Sequence, residues 1–371
     1  MDRPVKNIEP LCVIRTGRTV EEAAEWLADY PAVYIVADRN VSSYAQRVGK
    51  ALESRSNLAG MLLIDATEQD KVMDTVLTIC RWLMDGKADR KAMVFAIGGG
   101  ITTDMAGFAA SIYKRGIRVA YMPTTFLSQV DAAVGGKNGV NLDGYKNILG
   151  VIRQPDFTFE CPEVLGTLPY RDFISGAAEM LKTFIIDDSN GDYAKAVEVL
   201  SAIRKSDDKV GAIVNLMPEL ESLVRAAASV KAGVVERDEF ENGERRKLNL
   251  GHTFAHAIER EARETGDDIS HGEAVSMGIV MAARLAERYY GISGLESGII
   301  RDFEACGLPV ACPYPIEKLS AAMYNDKKAE GGLVNFVLPA AIGDVRIEPM
   351  KVKDMLELLV IFADCKTYGG L

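Results

Sequence analysis

The stretch KAMVFAIGGGITTDMAGFAASIYKRG (residues 91–116) joins a strand-like apolar run to a helical pattern through three consecutive glycines. Its first part, KAMVFAI, reads as a buried strand, and the part after the glycines reads as a helix. Glycines at such a junction let the backbone approach a phosphate, and the helix N-terminus favours negative charge. Gly98, Gly99 and Gly100 are therefore candidate nucleotide-binding residues, although a tight turn without a ligand explains the same pattern. The spacing is not the GxGxxG of the common dinucleotide fingerprint.

Strand-like runs and helical patterns alternate on both sides of this stretch. The strands are PAVYIVAD (31–38), GMLLID (60–65) and RVAYMPTT (118–125), and the intervening helices include VSSYAQRVGKALES (41–54) and DKVMDTVLTICRWLMDG (70–86). This spacing predicts a parallel, doubly wound sheet. Such sheets bind ligands at the carboxyl ends of their strands, where Asp38, Thr124 and Thr125 lie. Asp38 either accepts hydrogen bonds from a ribose or caps the next helix.

Strand signals become sparse after about Pro169. Long amphipathic stretches follow, namely RDFISGAAEMLKTFII (171–186), ELESLVRAAASVKAGVVERD (219–238), HTFAHAIEREARE (252–264) and GEAVSMGIVMAARLAERYYG (272–291). We therefore predict two domains, an α/β Rossmann-like domain over residues 1–168 and a mostly α-helical domain over residues 169–371. The glycine-rich run VGGKNGVNLDGYKNILG (134–150) is predicted to be an irregular loop within the first.

Composition excludes several classes of protein. The chain has 371 residues, 48% of them hydrophobic, and a net charge of −10, which disfavours nucleic acid or an anionic membrane as a partner. Six cysteines lie scattered without a CxxC pair, as in reduced, cytoplasmic proteins. The opening MDRPVKNIEP has no signal-peptide pattern, and no apolar run reaches the length of a membrane span. We expect a cytoplasmic protein whose anionic ligands are held by local basic groups.

All three histidines fall within one short part of the helical half. His252 and His256 lie four residues apart in LNLGHTFAHAIE (248–259), which puts both on one helix face, and His271 opens HGEAV (271–275). Such a cluster indicates a metal or acid–base site. Either the three histidines bind the metal with Glu179 as a base, or Glu179 replaces one histidine, which is then spared for proton transfer. Both arrangements leave the open coordination position that a catalytic zinc requires.

A dispersed set of cations suits a small phosphorylated, carboxylated substrate. Each one alone is an ordinary surface charge, but all lie in polar segments of an acidic protein. They are Lys137 and Lys146 in the glycine-rich run, Lys182 one helical turn after Glu179, Lys231, Arg245, and Lys327 with Lys328. With the glycine turn and the histidines, they indicate metal-assisted redox chemistry on a polyhydroxylated phosphate.

Several long motifs together resemble the 3-dehydroquinate synthase family. In the family's order they are GGGITTDMAGFAASIYKRG (98–116), MPTTFLSQVDAAVGGKNGVN (122–141), KNILG (146–150), TLPYRDFISGAAEMLK (167–182), RRKLNLGHTFAHAIE (245–259), HGEAV (271–275) and DKK (326–328). The resemblance covers roughly residues 30–345. It implies a Rossmann-like NAD-binding domain, a helical metal-binding domain and a homodimer.

The resemblance also implies roles for individual residues. The metal, zinc or cobalt, would be held by Glu179, His252 and His271, which leaves His256 near the substrate phosphate. Substrate contacts would be Asp131, Lys137, Asn147, Lys182, Lys231, Arg245, Asn249 and His256, with Lys327 or Lys328 and with Arg115 from the neighbouring subunit. NAD contacts would be Asp38, Asn40, Glu68, Lys71, Gly98, Gly99, Gly100, Asp104, Thr124, Thr125, Lys146 and Thr167.

The implied reaction converts 3-deoxy-D-arabino-heptulosonate 7-phosphate into 3-dehydroquinate and phosphate in the shikimate pathway of aromatic amino acid biosynthesis. NAD removes hydride from a ring hydroxyl, phosphate leaves by β-elimination, NADH returns the hydride, and an intramolecular aldol step closes the carbocycle. The chain departs from the family at Asn138, Tyr145 and Ala255, which adjoin predicted contacts.

Two alternative activities fit part of this pattern. One is another sugar phosphate cyclase, of the aminodehydroquinate or 2-deoxy-scyllo-inosose type, with an altered substrate site. The other is a metal-dependent polyol dehydrogenase, which would release NADH stoichiometrically. The dehydrogenases usually carry a lysine shortly after the aspartate of GGGxxxD, whereas Asp104 is followed here by Met-Ala-Gly.

Overall fold

The computed structural model describes residues 10–326 and 333–366, so that Lys327 and Lys328 lie outside the described residues. The chain divides into two compact units. The first comprises residues up to Leu168 together with Lys231–Phe240, and the second comprises Pro169–Val230 and the residues from Glu241 onward.

The first unit is built on a six-stranded sheet in which every neighbouring pair is parallel. In the order β1-β8-β5-β4-β2-β3, its strands are Ile14–Thr16 (β1), Thr158–Glu160 (β8), Arg118–Pro123 (β5), Met93–Gly98 (β4), Val33–Asp38 (β2) and Leu58–Ile64 (β3). The predicted parallel sheet is therefore confirmed, and each predicted strand is present. The central strand β4 is fully buried, as its continuous apolar run indicates.

Four helices accompany this sheet. They are Ala23–Trp26 (α1), Ser42–Glu53 (α2), Met73–Asp85 (α3) and Gly100–Ile112 (α4). Helix α4 is apolar on nearly all sides, and its Met105, Ala106 and Ala109 pack in one core with Val94 and Ala96 of β4. This core holds the start of α4, and with it the glycine turn, at the end of β4.

The glycine-rich run after β5 is not an irregular loop, and that prediction was wrong. It forms an antiparallel hairpin of Lys137–Leu142 (β6) and Tyr145–Ile152 (β7). Asp143 and Gly144 connect the strands, with φ of 50° and 83°. An Asp-Gly pair with two positive φ angles is the preferred two-residue hairpin turn, because its twist matches that of the strands. The signal was present in the sequence, but the surrounding glycines obscured it.

The second unit is mostly helical, as predicted. Its helices are Tyr170–Ile186 (α5), Asp192–Lys205 (α6), Lys209–Asn215 (α7), Met217–Arg237 (α8), His252–Thr265 (α9), His271–Tyr290 (α10), Leu295–Cys306 (α11), Ile316–Asp326 (α12) and Val352–Lys366 (α13); the end of α8 belongs to the first unit. A hairpin of Leu333–Ala341 (β9) and Asp344–Lys351 (β10) was not predicted. Its first strand, LVNFVLPAA, is mostly apolar without strict alternation, and periodicity alone does not distinguish such a run from a buried helix.

The helices of the described residues were also compared with the requirements of a membrane span. None combines the length and the apolar character needed to cross a bilayer.

Candidate active site

Three helices of the second unit bring Glu179, His252 and His271 together. Oε1 of Glu179 lies 3.2 Å from Nε2 of His271 and 3.5 Å from Nε2 of His252. One candidate ligand atom from each residue lies within 4.8 Å of the other two, and the Glu179 side chain is fully buried. Two imidazole nitrogens and a carboxylate oxygen around one point match the three-ligand set of catalytic zinc sites. The donor set therefore fits a zinc or cobalt ion with one position left for a substrate oxygen.

Close helix contacts explain why these residues meet. Gly251 precedes α9 with φ of 77°, and a Cβ there would lie 2.7 Å from Cγ1 of Ile279 on α10. A Cβ on Gly272, the second residue of α10, would overlap the backbone of Ser175 on α5. Because both positions lack a side chain, α5, α9 and α10 can approach closely enough for their polar residues to converge.

The second nitrogen of each of these histidines is tied to the protein. Nδ1 of His252 lies 3.1 Å from the carbonyl oxygen of Leu250, so that it donates there and leaves Nε2 as an acceptor. Nδ1 of His271 lies 3.2 Å from Oε1 of Glu259, a carboxylate only 10% exposed. Carbonyl and carboxylate partners of this kind fix the tautomer and orientation of metal-binding histidines.

Electrostatics keep Glu179 ionised despite its burial. Burial opposes ionisation, but the Lys182 ammonium, 2.5 Å from Oε2, and the two imidazoles hold the pKa of Glu179 well below its usual range. Burial and the charge of Lys182 lower the pKa of His252 to about 3. Burial also opposes protonation of His271, but hydrogen bonds to Glu179 and Glu259 raise its pKa to about 10. The cluster thus offers one carboxylate and one neutral imidazole for coordination, and binding a metal at His271 releases a proton.

The other predicted residues of the second unit lie beside the cluster or close to it in sequence. The ring of His256 is 5.6 Å from that of His252, and its side chain is exposed, in contrast to the buried carboxylate of Glu179. Arg245 is 2% exposed. Asn249 donates from Nδ2 to Oε1 of Glu241 at 2.7 Å.

The predicted nucleotide-binding residues of the first unit converge at one edge of its sheet. Asp38 ends β2, the three glycines span the end of β4 and the start of α4, and Thr124 and Thr125 follow β5. The strands β5, β4 and β2 are neighbours in the sheet. Asp38 also caps the turn after β2, accepting from the backbone N–H of Asn40 at 2.9 Å. Thr167 shares a hydrogen bond of 2.8 Å with Tyr44. This edge is where open parallel sheets bind nucleotides.

A buried lysine links further predicted residues of the first unit. Nζ of Lys71 lies 2.6 Å from Oδ2 of Asp104 on α4 and 2.6 Å from Oδ1 of Asn147 on β7. Separately, Nζ of Lys231 lies 2.5 Å from Oδ1 of Asp131 and donates to the Asp131 carbonyl. Lys71 and Lys231 are buried, and the charge of each is compensated by a neighbouring carboxylate.

Lys137, Lys146 and Arg115 are exposed, unlike the buried lysines of the first unit. Lys137 begins β6 and Lys146 lies on β7. Arg115 lies in the turn after α4, where it has φ of 66° next to Lys114 with φ of 49°. Two adjacent non-glycine residues in the left-handed region are a strained arrangement that favours functional explanations.

Several polar residues with contacts to predicted site residues were missed in the sequence. Among them are Glu241, which binds Asn249, Glu259, which binds His271, and Asn141, which binds Glu68. The signal for Glu259 was present, because residues 252, 256 and 259 recur at helical spacing on one face. No comparable periodicity connects Asn141 with Glu68.

The departures from the family pattern have structural explanations at two positions. Asn138 is buried, accepts a 2.6 Å hydrogen bond from Tyr121 and donates to the carbonyls of Gly136 and Arg153, so it ties β6 to the sheet. Ala255 is fully buried within α9. Tyr145 is 69% exposed next to the hairpin turn.

Sequence models of one enzyme family match both parts of the chain. The model described as 3-dehydroquinate synthase N-terminal matches residues 61–175, and that described as 3-dehydroquinate synthase C-terminal matches residues 176–329. The chain belongs to the 3-dehydroquinate synthase family. The family resemblance stated from the motifs is thereby confirmed.

Known members of the 3-dehydroquinate synthase family align over most of their length. The 3-dehydroquinate synthase of Pyrococcus abyssi is 39% identical over 299 residues, covering 80% of this chain and 84% of the relative. That of Streptococcus pneumoniae is 34% identical over 358 residues, covering 95% of this chain and 96% of the relative. A similar solved structure is that of 2-epi-5-epi-valiolone synthase from Streptomyces hygroscopicus subsp. jinggangensis with NAD+ and Zn2+ bound. It has a TM-score of 0.80 and 25% identity, and the match covers 98% of this chain and 99% of that one.

Proposed function

We propose that the chain is a phosphorus–oxygen lyase that converts 3-deoxy-D-arabino-heptulosonate 7-phosphate into 3-dehydroquinate and phosphate. The observation that carries the proposal is the cluster of buried Glu179 with partly buried His252 and His271 beside Lys182, in a chain of the 3-dehydroquinate synthase family. A polyol dehydrogenase needs a metal and NAD, but it does not need cations for a leaving phosphate and a carboxylate.

Zinc or cobalt would be held by Glu179, His252 and His271, and NAD by the strand-end residues of the first unit. When bound, the metal supplies Lewis-acid polarisation of a hydroxyl group, and NAD supplies a reversible hydride acceptor. Lys182 is 1% exposed and lies beside the ionised Glu179. Its fixed positive charge would stabilise negative charge that develops on a substrate oxygen during the reaction. Glu259 holds the ring of His271 in place.

Basic residues would hold the substrate's phosphate and carboxylate. Arg245 is one of them, because its buried guanidinium presents donors suited to bidentate binding of an anion, and His256, whose imidazole is exposed, is a second. Lys137 and Lys231, the latter oriented by Asp131, are two more. In a chain of net charge −10, such local groups are required to offset the repulsion of an anionic substrate.

We further propose a cytoplasmic homodimer in which Arg115 of one protomer reaches the substrate phosphate of the other. The support is its exposed side chain and the left-handed backbone at Lys114 and Arg115, which costs about 1–3 kcal/mol per residue.

Phosphate release tests the proposal directly. Purified zinc-loaded protein is given the heptulosonate phosphate with substoichiometric NAD, and phosphate and NADH absorbance are followed together. We expect turnover far above the NAD supplied with no NADH accumulation. Glu179→Gln should abolish turnover, whereas Glu221→Gln, the same change in an exposed ion pair with Arg225, should not. Steady NADH production, or release only from another sugar phosphate, would refute it.

The other sugar phosphate cyclases are the second candidate, because the valiolone synthase shares the fold over nearly the whole chain. Glucose 6-phosphate, sedoheptulose 7-phosphate and the amino analogue of the heptulosonate should therefore be compared as substrates. Preference for any of these three substrates over the heptulosonate phosphate would select this alternative.

A further inference from the structure

Asn141, at the end of β6, joins two segments of the first unit through four hydrogen bonds. Its Nδ2 donates to Oε1 of Glu68 at 2.8 Å and to the Glu68 carbonyl at 3.3 Å. Its backbone N–H donates to the carbonyl of Lys71 at 2.8 Å. Its Oδ1 accepts from the backbone N–H of Asn147 at 2.9 Å. One side chain therefore connects the segment 68–71, which follows β3, to the β6–β7 hairpin.

Asn147 is held at a second point by the same segment. Nζ of Lys71 donates to Oδ1 of Asn147 at 2.6 Å and pairs with Asp104. Asn147 has φ of 53°, a left-handed conformation that its local sequence does not favour, although Asn tolerates it better than most residues. Its backbone bond to Asn141 and its side-chain bond to Lys71 thus select a conformation that the free hairpin would populate poorly.

We propose that Asn141 is a positioning residue that transmits nucleotide binding at Glu68 and Lys71 to the conformation of Asn147. The inference rests on the proposed function, in which Glu68 and Lys71 contact NAD and Asn147 contacts the substrate. NAD that orders Glu68 and Lys71 also fixes the partners that hold Asn147, so the hairpin is ready for substrate only when the cofactor is present. By linkage, the substrate then tightens NAD by the same factor.

The test measures hairpin order rather than turnover. Hydrogen exchange of residues 137–152 is followed with and without saturating NAD, and NAD affinity is determined by titration calorimetry. In the wild type, NAD should slow exchange at the hairpin at least about fivefold, the lower end of typical coupling between sites. In Asn141→Ala, NAD should still bind but should no longer slow exchange there. Asn215→Ala, the same change at an exposed position on α7, should behave as the wild type.

A donor–acceptor exchange distinguishes positioning from a general effect on folding. Asn141→Asp keeps the acceptor for Asn147 but places a carboxylate against Glu68, and should lose the coupling. In the double variant with Glu68→Gln, the new amide donates to the new carboxylate, and protection should return at NAD concentrations that titration shows to saturate this variant.

Several outcomes would overturn the inference. They are equal NAD-dependent protection in the wild type and Asn141→Ala, absence of protection in the wild type, or no recovery in the double variant. Phosphate release by the wild type is measured separately. Protection that follows these expectations without phosphate release would refute the proposed reaction but leave the coupling through Asn141 supported.

Discussion

The carboxyl group of Asp104 gives the stability of the first unit an unusual dependence on pH. Burial raises the pKa of Asp104 to about 6, and the neighbouring Lys71 ammonium only partly opposes this. An aspartate in the unfolded chain has a pKa of about 3.9. Between these values the folded protein holds the proton more firmly than the unfolded chain does. The contribution of Asp104 to stability is therefore present at about pH 4 and is lost as the pH rises through about 6.

The size of this effect follows from the shift. A rise from 3.8 to about 6 is roughly two pKa units, and each unit corresponds to about 1.4 kcal/mol, which gives about 3 kcal/mol in total. The side chain is 17% exposed, so little of this is lost to solvent screening. Asp104→Asn removes the titration. We expect the free energy of unfolding of the variant, minus that of the wild type, to increase by about 2 kcal/mol between pH 4 and pH 7, because part of the total is already lost at pH 4.

Tryptophan fluorescence provides a selective assay. Both tryptophans of the chain, Trp26 and Trp82, lie in the first unit, so urea unfolding followed by their emission reports on that unit. Asp65→Asn is the matched control, because the hydrogen bond from Arg39 lowers the pKa of Asp65, so its titration lies mostly below pH 4 and the difference should stay nearly flat over this range. A flat difference between Asp104→Asn and the wild type over this range would refute the reasoning.

Three further predictions concern the cluster and the proposed dimer. Glu259→Ala should weaken zinc binding by about 10- to 100-fold in a chelator competition, because His271 loses the partner of Nδ1, and unchanged affinity would remove Glu259 from the site. Gly272→Ala should destabilise the protein by about 1–3 kcal/mol and weaken metal binding, since its Cβ overlaps Ser175; wild-type melting and zinc affinity would contradict the close-packing argument. Arg115→Ala should lose activity, and mixing it with an inactive Glu179→Gln protein should restore part of that activity in mixed dimers; failure of dimers that do form to recover would count against a shared site.

Local sequence patterns predicted the sheet well because each strand carries its own signal. The apolar run of β4 and the glycines after it are readable without any distant residue. The β6–β7 hairpin was misjudged although Asp143 and Gly144 encode its turn. The neighbouring glycines are depleted in strands and therefore favoured the prediction of an irregular loop. Strand β9 was missed for a different reason, since a mostly apolar run without alternation is compatible with helix and strand.

The candidate site was predictable only in part. Spacing alone identified the three histidines and Glu179 but left two ligand sets open, and the family resemblance was needed to choose between them. The structure groups Glu179 with His252 and His271 and leaves His256 exposed on the same helix. The contact of His271 with Glu259 joins residues on two helices, so its geometry depends on how α9 and α10 pack.

The amino-acid sequence by itself determined the parallel α/β unit, the helical unit, the family and the chemical types of residue available for catalysis. Those properties depend on periodicity and on motifs that are contiguous in the chain. Only the tertiary structure decided which donors converge, which lysines are buried beside carboxylates, and that Asn141 bridges Glu68 and Asn147. These contacts join residues up to 100 positions apart, as between Asp131 and Lys231. Those of the metal cluster exist because α5, α9 and α10 meet where Gly251 and Gly272 carry no side chain, and no local pattern of sequence shows which surfaces will meet.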